Sequence, residues 1–301
     1  MKLIPDTNIG FVQKRWTFFI ISLVMMVAVI VIFIARRGFN YGVDFTGGSL
    51  LQVRFTPSVS TDAVRSALGA LGEEGAEIQR DERGDFFIRA KPHDFPGGET
   101  FGAAAQRQFA TSFPGNQFEI LSEDTVGPQV SKELQSKVLL AVGLGLLGIL
   151  VYVTFRFDFR FGVGAVLSLM HDTMVVLGAL ALFNKELTIT VIAAVLTMIG
   201  YSVNDSIVVS DRIREDVRKM RKESFADVAN HAINKTLSRT MITSLTVLFV
   251  TLALLIFGAA SIKDFAFIMT VGTITGTYSS VFVVANFVVE WEQRFPSKRR
   301  R

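Results

Sequence analysis

Cysteine is absent from this chain, and histidine is nearly so, with three in 301 residues. The first absence excludes disulfides, thiolate catalysis and cysteine-based metal sites, and it leaves the redox compartment unread. Three histidines leave little room for a zinc site, so no metal and no other cofactor is expected. No Walker motif occurs either. The chain is therefore not expected to draw on its own ATP hydrolysis, or to be an enzyme. Net charge is small, at +4, although the isoelectric point is 9.4. Lys and Arg gather in short stretches between apolar runs, a pattern that speaks for membrane orientation and against nucleic-acid binding.

Apolar side chains are abundant: half of the residues are hydrophobic and the mean hydropathy is +0.42. A spanning helix needs ~20 such residues to cross ~30 Å of hydrocarbon. Six stretches approach or exceed that length, at Trp16–Ala35, Val138–Phe155, Phe161–Phe183, Leu187–Val209, Thr240–Phe257 and Phe265–Val289. The first ends in Ile34-Ala35-Arg36-Arg37 without a small-x-small cleavage pattern, and so reads as an anchor. Placing both termini in the cytoplasm puts Lys2, Lys14, Arg15, Arg156, Arg160, the Arg212–Lys235 segment and the tail Lys298-Arg299-Arg300-Arg301 on the side that basic residues prefer.

The segment between the first two runs alternates instead. Ser49–Phe55 reads as a strand, and Ser60 or Thr61 caps a helix to Leu71. Ala76–Arg80 and Asp85–Ala90 form a hairpin around Asp81-Glu82-Arg83-Gly84. A helix over Glu99–Ser112 and a strand over Gln117–Ser122 complete the split-βαβ order. The expected fold is thus an α-helical polytopic membrane protein, with six transmembrane helices and one small α+β (ferredoxin-like) extracytoplasmic domain. Its expected parts are a cytoplasmic N-terminus at 1–15, the first helix at 16–35 and the outer domain at 36–137. Helices two to six follow at 138–289, with a basic cytoplasmic loop at 210–239, and then a basic cytoplasmic tail at 290–301. A surface helix is expected in that loop, since Phe225, Val228, Ala232 and Leu237 share one face.

Ionisable residues inside apolar runs carry the functional information, because each costs ~2.5–3.5 kcal/mol at a helix centre without a partner or water. His171-Asp172 lies in the third run, Asn204-Asp205 in the fourth, and Arg239 at the start of the fifth. Behind Asp205, the positions Tyr201, Thr197, Ala194 and Thr190 form a polar and small stripe. Asp205 and Arg239 lie toward one side and can pair. An adjacent Arg favours the charged carboxylate, and its withdrawal from a dry site favours the protonated one, which is what a proton relay requires. On spacing alone, an interfacial salt bridge and a snorkelling Arg239 explain the same residues. For His171-Asp172 a helix-packing hydrogen bond is the simpler reading. Gly143, Gly145, Gly148, Gly272 and Gly276 suit close helix packing. Gly272 and Gly276 fit either an internal contact or a partner subunit.

The run Gly42-Val43-Asp44-Phe45-Thr46-Gly47-Gly48 reads as a tight turn, with Asp44 bonding backbone amides and Gly47 and Gly48 supplying positive φ. It resembles the Asp-Phe-Thr-Gly-Gly signature of the SecD/SecF family. Gly200-Tyr201-Ser202-Val203-Asn204-Asp205-Ser206-Ile207-Val208-Val209, followed by Asp211-Arg212-Ile213-Arg214-Glu215, is similar to the fourth-helix motif of the SecF branch. Asn234-Lys235-Thr236-Leu237-Ser238-Arg239-Thr240 is similar to the start of its fifth helix, and His171-Asp172 also matches. Ser206 and Ser210 depart from the Thr and Phe more often seen there.

The resemblance implies membership of the resistance-nodulation-division superfamily and assembly with SecD in a bacterial cell membrane. It implies that the proton-motive force assists movement of a translocating preprotein through SecYEG, with YajC as an accessory partner. Asp205 and Arg239 then correspond to proton-pathway residues, with Asn204, Asp172 and His171 as weaker candidates. A proton-driven small-molecule efflux subunit and a structural membrane scaffold are the alternatives.

Overall fold

A computed structural model describes residues 7–81, 83–92 and 98–296 of the chain. It forms two units, one of residues 1–40 with 140–301 and one of residues 41–139. The predicted basic tail 298–301, Lys2, and Glu82 of the hairpin lie outside the described residues.

The smaller unit has β1 (Gly48–Thr56), α1 (Thr61–Gly69), β2 (Glu77–Arg80), β3 (Phe86–Ala90), α2 (Phe101–Ser112) and β4 (Gln117–Val126). The sheet order is β2-β3-β1-β4 with every pairing antiparallel, the split-βαβ arrangement. Period-two alternation builds it. Leu51, Val53 and Phe55 of β1 and Phe86 and Ile88 of β3 are buried on the face that receives Val64, Leu68, Phe101 and Phe109 of the helices. The Phe55 ring meets those of Phe86, Phe109, Phe113 and Phe118 at 5.3–5.9 Å between centroids. Ser60 and Thr100 cap the two helices, each accepting a hydrogen bond from the amide three residues on. β4 runs to Val126, four residues past the predicted end, because it pairs along all of β1 through one bulge at Gln52/Val53.

The signature run forms one helical turn, Val43–Thr46, followed by Gly47 at φ +72° and Gly48 at φ +115°. Gly48 has a second reason to be glycine: a Cβ there would strike the carbonyl of Ala90 across the sheet. The Thr46 hydroxyl donates to the Gly42 carbonyl at 3.2 Å, and Gln135 donates to that of Phe45 at 2.7 Å.

Six helices are long and apolar enough to cross a membrane. The first is Arg15–Ala35, the second Pro128–Arg156, the third Phe159–Leu182, the fourth Ile189–Lys219 and the fifth Phe225–Phe257. The sixth runs from Ala260–Ser279 through a π turn at Ser280–Val284 into Ala285–Arg294. Their burial runs opposite to their apolarity. The two most apolar, the first and second, are almost wholly uncovered by protein, whereas the third and sixth are the most enclosed. That is the pattern lipid imposes: hydrocarbon solvates leucine and valine, and protein must solvate everything else.

Three expectations are corrected. The second helix begins at Pro128, ten residues before the predicted start and inside the stretch assigned to the domain; proline is well placed at a first helical position. The segment 210–239, expected as a loop carrying one surface helix, is helical except around 220–224, and its helix from Phe225 is the start of the fifth span. The fourth and fifth helices simply continue, since neither Gly nor Pro interrupts 201–239. At 33 residues the fifth helix is about 50 Å long, well beyond the hydrocarbon thickness. Lastly, Gly143, Gly145 and Gly148 pack against nothing within 4 Å among the described residues.

The extended helix ends hold the N-terminal segment. Asn234 both donates to and accepts from the backbone of Ile9, at 2.9 and 2.8 Å, and Asn230 accepts from the Val12 amide at 3.2 Å. Phe11 and Val12 are buried with Ile213, Ala229, Ile233 and Val288. Asp216, itself buried, ties the fourth helix to the fifth through His231 at 3.0 Å and is held by Arg212 at 2.9 Å.

Candidate functional site

The fourth helix brings two polar clusters into the bundle, one turn apart. Asp205 is 2% exposed, and its carboxylate accepts from the Ser244 hydroxyl of the fifth helix at 3.5 Å. Ser244 in turn accepts from Tyr201 at 3.3 Å and from Thr277 of the sixth helix at 2.7 Å. Asp205 thus sits at the end of a hydroxyl network joining three helices. Its only direct side-chain bond among the described residues is one long contact.

Arg239 is exposed, and no ion pair within 4 Å joins it to Asp205. The two side chains lie on adjacent helices with Asp205 turned inward and Arg239 outward. Asn204 also faces outward. With Ala193, Thr197 and Gly200 it forms a strip of small and polar positions that the chain leaves uncovered, and Thr246 of the fifth helix is exposed as well.

Asp172 has the more elaborate setting. It is fully buried, and one of its carboxylate oxygens accepts from Ser202 of the fourth helix at 2.7 Å and from Ser279 of the sixth at 2.6 Å. The other lies 3.2 Å from Nδ1 of His171. The helices approach closely here because glycine permits it. A Cβ on Gly276 would come within 3.0 Å of the Ser202 Cβ, and one on Gly272 would strike the Met198 side chain. Asp44, Gly47 and Gly48 lie in the other unit and are not part of either cluster.

Sequence reasoning missed Ser202, Ser244, Thr277 and Ser279. Hydroxyls in membrane helices are poor signals, since most satisfy themselves on the carbonyl a turn back, as Thr273 does on Met269 at 2.7 Å. The facing carboxylate distinguishes Ser202, Ser244 and Ser279, and Thr277 is distinguished by its bond to Ser244. No group of three or more acidic or histidine side chains able to hold a metal occurs among the described residues.

Residues 106–294 match the family described as protein export membrane protein SecD/SecF, C-terminal, and residues 32–59 match the SecD/SecF GG motif. The protein translocase subunit SecF of Calditerrivibrio nitroreducens is 40% identical over 287 residues, which cover 94% of each chain. That of Vibrio alginolyticus is 39% identical, over 93% of this chain and 89% of its own.

The chain belongs to the SecD/SecF family.

Its role is accordingly SecF-like, in protein export, and it is a multi-pass membrane protein. The crystal structure of SecDF from Thermus thermophilus, a translocon-associated membrane protein, superposes with a TM-score of 0.86 at 38% identity. This chain spans 39% of that one, and 96% of this chain is covered. A SecDF in a super-membrane-facing form, also 38% identical, gives 0.71.

Proposed function

We propose that this chain is a proton-driven accessory subunit of the Sec translocase in the bacterial cell membrane, acting with a SecD-like six-helix partner and not as an enzyme. The observation that carries this reading is the uncovered polar strip of Thr197, Asn204, Arg239 and Thr246 within membrane-spanning helices. Exposing Asn and Arg to hydrocarbon costs several kcal/mol, so a protein surface or water must meet that strip in the working assembly. Asp205 lies just behind it, and a partner that closes over the strip would bring Arg239 and Asp205 into one enclosed site.

In that site the Asp205 carboxyl has two hydrogen-bonding roles. Charged, it accepts from Ser244 and attracts Arg239; protonated, it donates, and the hydroxyl network through Ser244 must rearrange. Each alternation moves a proton across part of the membrane field and so yields a fraction of the ~2.3 kcal/mol per 100 mV that a full crossing is worth. Both termini lie in the cytoplasm and the domain between the first two membrane helices outside, as the basic flanks favour. There it meets the preprotein emerging from SecYEG, with YajC as a further member of the assembly.

Export into vesicles carrying a proton gradient, with the partner subunits co-reconstituted, tests the reading. Asp205→Asn keeps the size of the side chain and removes the titration, and export is expected to fall to the level without a gradient. Wild-type export from Asp205→Asn would leave only a scaffold. Purification in mild detergent should retain the SecD-like partner, and losing it on Asn204→Leu would locate the contact at the strip.

A further inference from the structure

Asp172 is the most enclosed carboxylate of the bundle, and the relay through Asp205 does not use it. It draws its bonds from three helices: its own neighbour His171, Ser202 on the fourth and Ser279 on the sixth, the last three residues being 6%, 0% and 0% exposed. Among the described residues no Lys or Arg lies within ion-pair distance of it. The first helix packs on the third through Val29 at Gly178 and carries no ionisable residue between Trp16 and Ala35. From the sixth helix Tyr278 faces the His171 ring at 6.0 Å between centroids. From the fourth, Asp205 lies one turn beyond Ser202, directed at Ser244.

Both donors to Asp172 stand on helices that also build the Asp205 network. Ser202 precedes Asp205 by three residues, and Ser279 follows Thr277 by two. A turn of the fourth helix that moves Asp205 relative to Ser244 must therefore move Ser202 relative to Asp172. The sixth helix changes at this point too, since its π turn begins at Ser280, directly after the Asp172 donor. Such turns leave a wider backbone ring, and they recur at functional sites. Beside Asp172, His171 Nε2 and the Ser168 hydroxyl are buried without a protein hydrogen-bond partner among the described residues. This enclosed polar patch therefore has bonding capacity left for a second arrangement.

We propose that Asp172 is a positioning residue: a latch whose two serine bonds clamp the fourth and sixth helices to the third, and whose release transmits the state of Asp205 to the sixth helix. The inference rests on the relay reading of Asp205. Asp172→Asn keeps the shape of the side chain but replaces one accepting oxygen by an NH2 donor, so the clamp can no longer accept at both oxygens. Ser279→Ala opens one arm of it.

Two measurements test this on the complex reconstituted with its partners. The first is the pH profile of gradient-driven export. Asp172→Asn and Ser279→Ala are each expected to shift its midpoint by up to roughly one pH unit, the change in coupling that one hydrogen bond represents. A packing role alone would lower the rate at every pH without moving the midpoint. The second uses the absence of cysteine. Spin labels at Leu167→Cys and Ile274→Cys, on exposed positions of the third and sixth helices, report the distance between them. The wild type should show two distance populations whose ratio depends on pH, and both latch variants should hold one population throughout.

If Asp205→Asn leaves export unchanged, the relay fails whatever the labels show. If Asp205→Asn stops export, yet the latch variants keep the wild-type midpoint and distances, the relay stands and the latch is refuted. Ser279→Ala provides the answer should Asp172→Asn fail to assemble.

Discussion

Two glycines on different helices should respond in opposite ways to the same substitution. Gly276 lies where the sixth helix meets the fourth, and a methyl group there would sit 3.0 Å from the Ser202 Cβ, 3.1 Å from its hydroxyl and 3.5 Å from its Cα. Ordinary contact needs about 0.4 Å more than the first of these, and because a Cβ is fixed rigidly to its own backbone, the helices must give by that much. Overpacking of this kind costs roughly 1–3 kcal/mol. Against it stands the better helix propensity of alanine, about 0.8–1 kcal/mol. The net effect of Gly276→Ala is a loss of up to about 2 kcal/mol. At Gly143 nothing lies within 4 Å, so Gly143→Ala should gain the propensity term alone. The two variants should therefore differ by roughly 1–3 kcal/mol in unfolding of the purified chain in mixed micelles. The Gly276 variant should also export poorly, because the hydroxyl it displaces is the one that reaches Asp172 at 2.7 Å. Equal stabilisation by both alanines would refute the close approach of the two helices.

The domain offers two further expectations. Asp85 is buried, and Arg54 donates to it twice, at 2.7 and 2.8 Å, holding its carboxyl below the usual carboxylate range. A depressed value means that stabilisation is complete above the ordinary carboxylate pKa and is lost as pH falls through the folded one. The stability gap between wild type and Arg54→Gln, followed by hydrogen exchange in β1 and β3 of the full chain, should be constant near neutrality and shrink in acid; a gap that persists in acid would contradict this. Phe109→Ala removes a fully buried ring that packs at 5.3 Å from Phe55. It should cost about 3–5 kcal/mol, lowering exchange protection in the domain while leaving the membrane helices protected.

What could be read in advance divides along physical lines. Lipid makes a helix announce itself by length and apolarity, so all six spans were legible, and pleated alternation located β1 and its partners. Helix ends were not legible where the chain leaves the hydrocarbon. Hydropathy falls there, but helix propensity does not, and Asp211–Lys219 continues as helix with Asp216 packed inside. The carboxylates stood out because charge is rare in such runs. Their partners did not, since Ser202 and Ser279 look like any other membrane serine until the third helix is laid beside them. The glycines of the second helix misled for the same reason: a small residue permits contact, but only geometry tells whether a neighbour arrives.

That neighbour relation explains why glycine, serine and aspartate occur together. Membrane helices with ordinary side chains pack 8–10 Å apart, and a larger residue at 276 would hold the sixth helix off the fourth. Gly276 lets the sixth helix settle onto Ser202, and at that separation Ser202 and Ser279 both reach the same oxygen of Asp172. The cost is that these helices give up apolar surface, which is why they are the least hydrophobic of the six and must lie inside. Placing a titratable group in the bundle thus dictates which helices form its centre, and the first and second helices, whose apolar runs carry no carboxylate, are left to the lipid.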